Sequence, residues 1–254
     1  MKIQYISDIH LELLHKKAVE LISKKIQPKA EICILAGDIG NPLQSNSNYK
    51  DFLLNLSEKF KKTFVIAGNH EFYGNDINQT KQEINKICMN IPNVSFLDNS
   101  YEDYDGYRWI GSTQWTKIEN PQFLINDFSQ IKNLSVKKYN DMHLESYNFL
   151  LDTLSETSRT NTKSIVITHH LPIYELTHNK YKGRFFEKYS QCFNANLDEL
   201  IKSNSSVIQG WFYGHTHERS VQKHHDVMFY CNPVGYSGEN NEEDSYQTVT
   251  DLLD

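Results

Sequence analysis

Short apolar runs rich in β-branched and aromatic residues recur along the chain, and each is followed by polar residues or glycine. Runs of this kind, bounded by turn residues, are typical of buried strands. They are KIQYI at 2–6, ICILA at 32–36, TFVIA at 63–67, SIVIT at 164–168 and VIQGWFY at 207–213. We therefore predict buried strands at these positions.

Apolar residues at helical spacing lie between several of these runs, as Phe52, Leu56 and Phe60 show. Helices are predicted at 15–26, 50–61, 76–90 and 140–156. Further strands are predicted at 94–97, 107–111, 219–223 and 227–231. Because strands and helices alternate, the pattern predicts an α/β fold.

The length of 254 residues suits one α/β domain that covers the whole chain, 1–254. The acidic segment 237–254 shows no obvious strand, and we expect it to be a partly ordered surface tail. A net charge of −6 argues against a main task of coating nucleic acid. A small or exposed substrate is the expected partner.

The N-terminal sequence MKIQYISDIH has neither the apolar core nor the cleavage site of a signal peptide. Since no apolar run approaches the ~20 residues needed to span a bilayer, we expect a cytoplasmic protein without a membrane partner. The cysteines form no C-x-x-C pair and are interpreted as reduced, buried thiols. They are Cys33, Cys88, Cys192 and Cys231.

Side chains that can bind metal ions follow five of the predicted strands. The strands end in Ser-Asp-Ile-His at 7–10, Gly-Asp at 37–38, Gly-Asn-His-Glu at 68–71, His-His at 169–170 and Gly-His-Thr-His at 214–217. Because ligands bind at the carboxyl ends of strands in an open α/β sheet, these segments are predicted to converge. Each ending alone also fits a turn or a hydrogen-bonded histidine, but five in one chain favour a shared metal site.

In this order, the motifs D-x-H, G-D, G-N-H-E, H-H and G-H-T-H resemble those of the calcineurin-like metallophosphoesterase superfamily, and they span 8–217. The resemblance implies a four-layer αββα sandwich of two mixed β-sheets flanked by helices, with a dinuclear metal site at the strand ends. The segments at 68–73, 111–115 and 126–128 resemble a group of small bacterial-type phosphoesterases whose substrates are poorly defined.

The resemblance also implies a role for each of these positions. Three residues would hold each metal ion, and Asp38 would bridge the two ions and take part in catalysis. They are Asp8, His10 and His217 for the first ion and Asn69, His169 and His215 for the second. Mixed imidazole and oxygen ligands suit two transition-metal ions, manganese, iron or zinc, better than magnesium. A hydroxide bridging the two ions would attack phosphorus, with His70 as general acid. Glu71 either orients His70 or caps the following segment.

Two further features of the sequence each allow two interpretations. His170 either supports a neighbouring ligand or contacts the substrate. The segment 178–189, HNKYKGRFFEKY, combines basic and aromatic residues. It either forms a recognition loop, in which Lys182 and Arg184 attract a phosphate, or is a solvated loop whose aromatic residues pack beneath it.

The leading hypothesis is a phosphatase or phosphodiesterase that acts on a small molecule, a nucleotide or a phosphopeptide. One alternative is a nuclease, which needs a basic groove that the acidic composition does not favour. The other is a non-catalytic protein-interaction scaffold on the same fold. The complete set of predicted ligands argues against the scaffold.

Overall fold

The computed structural model describes residues 1–45, 47–119, 125–179, 182, 189–240 and 242–252. Within these ranges the strands form two mixed sheets. The strands are β1 (Lys2–Ile6), β2 (Ile32–Ala36), β3 (Lys62–Ile66), β4 (Val94–Phe96), β5 (Ser100–Tyr104), β6 (Tyr107–Ser112), β7 (Ser164–Thr168), β8 (Ile208–Tyr213), β9 (Ser220–His224), β10 (Val227–Cys231) and β11 (Val249–Asp251).

The first sheet has the strand order β11-β1-β2-β3-β4, and the second has the order β5-β6-β7-β8-β10-β9. The inner neighbours of both sheets run parallel. The edge strands β11, β5 and β9 are antiparallel to their neighbours. Parallel strands direct their carboxyl ends to the same edge, so each sheet can deliver several loops to one place.

Helices cover the outer faces of the two sheets. They are α1 (Lys16–Lys25), α2 (Tyr49–Ser57), α3 (Ile77–Met89), α4 (Asp127–Gln130), α5 (Val136–Thr160), α6 (Asp198–Asn204) and α7 (Glu242–Gln247). Side chains cap two of the longer helices. The Asp76 side chain accepts hydrogen bonds from backbone N–H groups in the first turn of α3, and the Ser135 side chain accepts one in the first turn of α5. Among the described helices, none has the length and apolar character needed to cross a bilayer.

Alternate residues of a strand pack against different layers, as the period of two requires. In β2, Ile34 belongs to a cluster made by residues of both sheets, whereas Cys33 and Leu35 join the cluster of the helices α1, α2 and α3. A third cluster lies between the second sheet and α5 and α6. These layers confirm the predicted αββα sandwich.

Nearly all predicted elements are present, with small shifts at their ends. The strand expected at 63–67 begins one residue earlier, and the helix expected at 140–156 extends to Val136–Thr160. The polar strand β5 was not predicted, because its residues SYEDY are all at least partly exposed and contain no apolar run. The assignment of 1–254 to a single domain stays a prediction.

The segment 237–254 differs from the expected tail without a strand. Its described part contains α7 and β11, and β11 pairs antiparallel with β1. Tyr246 is fully buried, and Leu252 lies in the cluster between the two sheets. The expectation was wrong because β11 has no apolar run that would identify it as a strand. The strand is stabilised instead by its pairing with β1 and by the two buried side chains nearby.

Replacing Leu252 with alanine is expected to lower the free energy of unfolding by about 2–5 kcal/mol, because it leaves a cavity between the sheets. Urea denaturation measures this loss. Leu144→Ala is the matched control, since Leu144 is 56% exposed on α5, and we expect a change within about 0.5 kcal/mol. Equal losses in the two variants would contradict the placement of the C-terminal segment.

Candidate metal centre

The carboxyl ends of strands from both sheets meet at one edge of the sandwich. Within the first sheet, the Asp8 N–H donates to the Gly37 carbonyl at 3.0 Å. Between the sheets, the His215 N–H donates to Asp8 Oδ1 at 3.0 Å, and His169 Nδ1 lies 3.0 Å from the Ala36 carbonyl oxygen. The predicted convergence of the strand ends is therefore present in the structure.

Histidine and aspartate side chains at this edge form three groups whose potential ligand atoms lie within 4.8 Å of one another. The groups are Asp8, His10 and His217; Asp38, His169 and His215; and His10, Asp38 and His70. Asn69 Oδ1 lies 3.1 Å from His169 Nε2, beside the second group. The structure thus brings together all seven positions that the sequence assigned to metal ligands.

The distances in the first group fit ligands of a single cation. His10 Nε2 and His217 Nε2 are 3.1 Å apart, and Asp8 Oδ1 is 3.5 Å from His217 Nε2. Ligand atoms about 2.1 Å from one ion are about 3.0–3.4 Å from each other in octahedral or tetrahedral geometry. Asp8 and Asp38 are buried carboxylates, which require a paired charge or a metal ion. These residues fit a metal site.

An unusual backbone conformation marks most of the predicted ligands. Non-glycine residues with positive φ are uncommon, and they persist where the surrounding structure enforces them, often at functional sites. The ligands with φ between 51° and 68° are Asp8, His10, Asp38, His215 and His217. The chain turns sharply after each strand, and this keeps the side chains at the strand ends.

Glycines precede three of the ligands because the loops approach one another closely. A Cβ atom on Gly68 would lie 2.2 Å from Asp38 Oδ1, and one on Gly214 would lie 2.8 Å from Asp8 Oδ2. Gly37 has a φ of +85°, and its Cβ would lie 2.5 Å from His169 Nδ1. Any larger residue would displace a predicted ligand, which explains the glycines of the G-D, G-N-H and G-H-T-H motifs.

Opposite charges dominate the electrostatics of the site. Burial disfavours the charged imidazole of His169, but Asp38, 3.3 Å away, outweighs burial and raises the pKa of His169 to about 10. Burial is likewise outweighed at His217, where hydrogen bonding and charge from Asp8 raise the pKa to about 9. Protonated imidazoles thus balance the buried carboxylates, and cations that bind here would replace those protons.

Asp127 fixes the orientation of Asn69, and the sequence analysis did not assign it to the site. Asn69 Nδ2 donates to Asp127 Oδ1 at 2.8 Å, and the Tyr73 hydroxyl donates to the same oxygen at 2.7 Å. Because the amide nitrogen is held by Asp127, the amide oxygen turns towards His169. The only sequence signal for Asp127 was the Asn-Asp-Phe segment at 126–128.

Glu71 binds the backbone of neighbouring loops rather than His70. Its buried carboxylate accepts hydrogen bonds from the N–H groups of Asp38 at 3.1 Å, Ile39 at 2.8 Å and Gly68 at 2.8 Å. Burial, together with the charge of Asp38, raises the pKa of Glu71 to about 8. Glu71 therefore joins the loops after β2 and β3, a role that neither of the two sequence interpretations included.

His170 lies beneath the ligand group instead of at its surface. It is fully buried, its Nδ1 is 3.3 Å from the Thr113 carbonyl oxygen, and its ring centroid is 4.3 Å from that of His215. Burial, together with the charge of His169, lowers the pKa of His170 to about 3, which keeps the ring neutral. This position favours support of His215 over a direct contact with substrate.

The predicted recognition segment 178–189 lies mostly outside the described residues, and so does Arg184. Lys182 is described, and its Nζ donates to the Glu175 carbonyl at 2.8 Å. The same nitrogen is 5.9 Å from the ring centroid of Tyr174. Substrate recognition by this segment stays a prediction.

A cavity of about 390 Å³ opens beside the ligand groups. Aromatic and aliphatic side chains contribute to its lining together with the site residues, as in most small-molecule sites. Its polar lining includes Asp38, Asn69, His70, His215 and His217, and its apolar lining includes Tyr73, Ile125, Leu171, Phe193 and Tyr236. A substrate in this cavity would contact His70 and the ligand groups at once.

The sequence profile described as calcineurin-like phosphoesterase matches residues 1–219. The chain belongs to this family. Membership of the calcineurin-like phosphoesterases confirms the predicted superfamily and implies metal-dependent phosphoester hydrolysis at a dinuclear site. The structure agrees with this, since it groups the histidines and aspartates that could bind metal ions.

Two relatives of this phosphoesterase differ in how much of their length it covers. It is 27% identical to Uncharacterized protein L509 of Acanthamoeba polyphaga mimivirus, over 97% of this chain and 95% of that protein. It is 25% identical to acid sphingomyelinase-like phosphodiesterase 3b of Mus musculus, over 82% of this chain and 46% of the mouse protein. The chain therefore spans less than half of the mouse protein.

Solved structures show the same fold at low sequence identity. Phosphopantetheinyl hydrolase (PptH) from Mycobacterium tuberculosis matches with a TM-score of 0.73 and 14% identity, over 94% of this chain and 90% of that one. A dimetal phosphatase from Danio rerio matches with a TM-score of 0.54 and 11% identity, over 91% of this chain and 86% of that one. At these identities the matches establish the architecture only.

Proposed function

We propose that this phosphoesterase hydrolyses a phosphomonoester or phosphodiester of a small molecule at a two-metal site. The observation that supports this most strongly is the pair of adjacent ligand groups at the meeting point of the sheets, with Asp38 next to both. Two cations bound there would activate a water molecule for in-line attack and neutralise charge on the phosphoryl oxygens.

The proposed ligand assignment follows the geometric groups. Asp38 would lie between the two ions, because it belongs to one group with His10 and to another with His169. The ligands are Asp8, His10 and His217 for the first ion and Asn69, His169 and His215 for the second. Neutral imidazole and carboxylate donors suit manganese, iron or zinc, and these are the proposed cofactors.

His70 is the proposed general acid. Its side chain lines the cavity, and its backbone N–H donates to Asp38 Oδ1 at 2.8 Å, which fixes the residue next to the ligand groups. Burial disfavours its protonated form, but the carboxylates of Asp38 and Glu12 outweigh burial and raise the pKa of His70. As the P–O bond breaks, a proton from His70 passes to the ester oxygen, which leaves as an alcohol.

Acidic and apolar side chains in the lining of the cavity fit a small ester better than nucleic acid. Asp127 and Glu239 contribute carboxylates to the lining, and these would repel the phosphates that flank the cleaved bond of a nucleic acid. The apolar residues Ile125, Leu171 and Phe193 could instead contact the organic part of a small substrate.

Hydrolysis of para-nitrophenyl phosphate and its bis ester tests the proposed function. The protein is stripped of metal and then resupplied separately with manganese, iron, zinc or magnesium. A transition metal is expected to restore the rate better than magnesium, and the preferred ester distinguishes a monoesterase from a diesterase. Failure to bind any of these metals would contradict the proposal, as would full activity of the stripped protein.

A further inference from the structure

Glu12 lies between two residues with different proposed roles. It belongs to the short 3-10 turn Leu11–Leu13 that follows β1. Its Oε1 is 3.1 Å from Nδ1 of His10, a proposed metal ligand, and 3.1 Å from Nδ1 of His70, the proposed general acid. The Glu12 side chain is only 11% exposed, so water competes little for these hydrogen bonds.

One carboxylate oxygen that faces two ring nitrogens determines where the protons of both rings lie. A carboxylate can only accept, so Nδ1 of each histidine carries a proton and donates it to Glu12. The Nε2 atoms of the two rings are then directed away from Glu12. His10 Nε2 faces His217 Nε2 at 3.1 Å, and His70 Nε2 lies 3.5 Å from the Tyr236 hydroxyl, which lines the cavity.

Neighbouring rings leave the two histidines little room for another arrangement. The centroids of the His10 and His70 rings are 4.4 Å apart, with an edge-on contact. On its other side, the His70 ring stacks on Tyr73 at 4.2 Å. Glu12 Oε2 is also buried and has no hydrogen-bond partner among the described residues. A buried carboxylate oxygen without a partner lowers the stability of the fold, so its presence calls for a functional explanation.

We propose that Glu12 is a positioning residue that orients His10 for metal binding and His70 for proton transfer through one shared oxygen atom. The inference rests on the proposed roles of those two histidines. Acceptors on the far nitrogen of a metal-binding histidine commonly fix its tautomer and strengthen metal binding. Here Glu12 also accepts from His70, the proposed proton donor. Loss of Glu12 should therefore weaken metal binding and slow protonation of the leaving group together.

Long-range ¹H–¹⁵N NMR of the metal-free protein at mildly alkaline pH tests this directly. In the wild-type chain both His10 and His70 are expected to carry a proton on Nδ1. Glu12→Met keeps nearly the length of the side chain but replaces the carboxylate with a thioether, which is only a weak hydrogen-bond acceptor. At least one ring is expected to change to the tautomer protonated on Nε2.

Kinetics of the metal-loaded Glu12→Met variant give a second, independent measurement. We expect metal affinity to fall by about 10- to 100-fold. The rate with an alkyl phosphoester should fall by about 10- to 100-fold more than the rate with a para-nitrophenyl ester, because nitrophenolate leaves without a proton. A purely structural role would lower both rates by the same factor.

Glu239→Met is the matched control. Glu239 Oε2 is 2.7 Å from Nδ1 of His217, so this carboxylate supports a proposed metal ligand in the same way. It also accepts a hydrogen bond from the backbone N–H of Tyr236, whereas Glu12 Oε1 lies 3.1 Å from His70 Nδ1. In this variant the metal affinity should therefore fall, and the rates of hydrolysis of the alkyl and the para-nitrophenyl ester should fall by the same factor.

Unchanged tautomers of both rings in Glu12→Met, or equal losses of rate for the two esters in that variant, would overturn the role of Glu12. The proposed function fails in a different way, namely if the wild-type protein hydrolyses neither ester with any metal. In that case the NMR comparison still decides whether Glu12 positions the two rings.

Discussion

Replacing Asp38 with asparagine is expected to lower kcat/KM by about 1000-fold, since Lewis-acid stabilisation by bound metal amounts to several kcal/mol and each 1.4 kcal/mol is about tenfold in rate. Asparagine keeps the size of the side chain but removes the negative charge next to both ligand groups. Its NH₂ group would also face a donor, either the His70 N–H 2.8 Å from Oδ1 or His169 Nε2 3.3 Å from Oδ2.

Two measurements check the Asp38→Asn variant: the initial rate of ester hydrolysis and the metal content determined by mass spectrometry. We expect fewer than two ions per chain together with the loss of rate. Asp51→Asn is the control, because Asp51 is exposed on α2, away from the site, and this variant should behave like the wild type. Full activity with two bound ions in Asp38→Asn would contradict a bridging role.

Replacing His70 with asparagine is expected to lower turnover by about 100- to 10,000-fold, the usual contribution of a general acid. In contrast to Asp38, His70 is not a proposed ligand, so the variant should retain its metal ions. The loss should be larger for an alkyl ester than for a nitrophenyl ester, since only the alkoxide needs the proton.

The control for this variant is His15→Asn. His15 is an exposed residue that caps α1 by accepting from the Ala18 N–H, and asparagine can cap the helix in the same way. Turnover should therefore be unchanged. If His70→Asn retains wild-type turnover, or loses its metal ions, then His70 has a role other than the one proposed.

The buried strands and the residues that end them were predictable from the sequence because both are local features. An apolar run such as ICILA at 32–36 identifies a buried strand by itself, and Gly37 and Asp38 follow it directly. The edge strands β5 and β11 were not predictable in this way. Their stability comes from pairing with β6 and β1, which is not visible in a short segment.

The residues that support the proposed ligands were harder to find, because their roles depend on contacts between distant segments. Asp127 reaches Asn69 from 58 positions away, and Glu239 reaches His217 from 22 positions away. Glu12 lies close to His10 in the sequence, but it meets His70 only after β1 and β3 pack into one sheet. No local pattern distinguishes these carboxylates from exposed ones.

Each proposed metal ion would be held by residues from both sheets. In the first group Asp8 follows β1 of the first sheet, and His217 follows β8 of the second. In the second group Asn69 follows β3 of the first sheet, and His169 follows β7 of the second. The site therefore depends on the packing of the two sheets, which explains why the ligands are spread over most of the chain.

Anomalous diffraction from crystals soaked in manganese tests the two-metal site most directly. Two peaks per chain are predicted, one beside Asp8, His10 and His217 and the other beside Asn69, His169 and His215, with Asp38 between them. No peak, or a single peak between His10 and His70, would contradict the proposed arrangement.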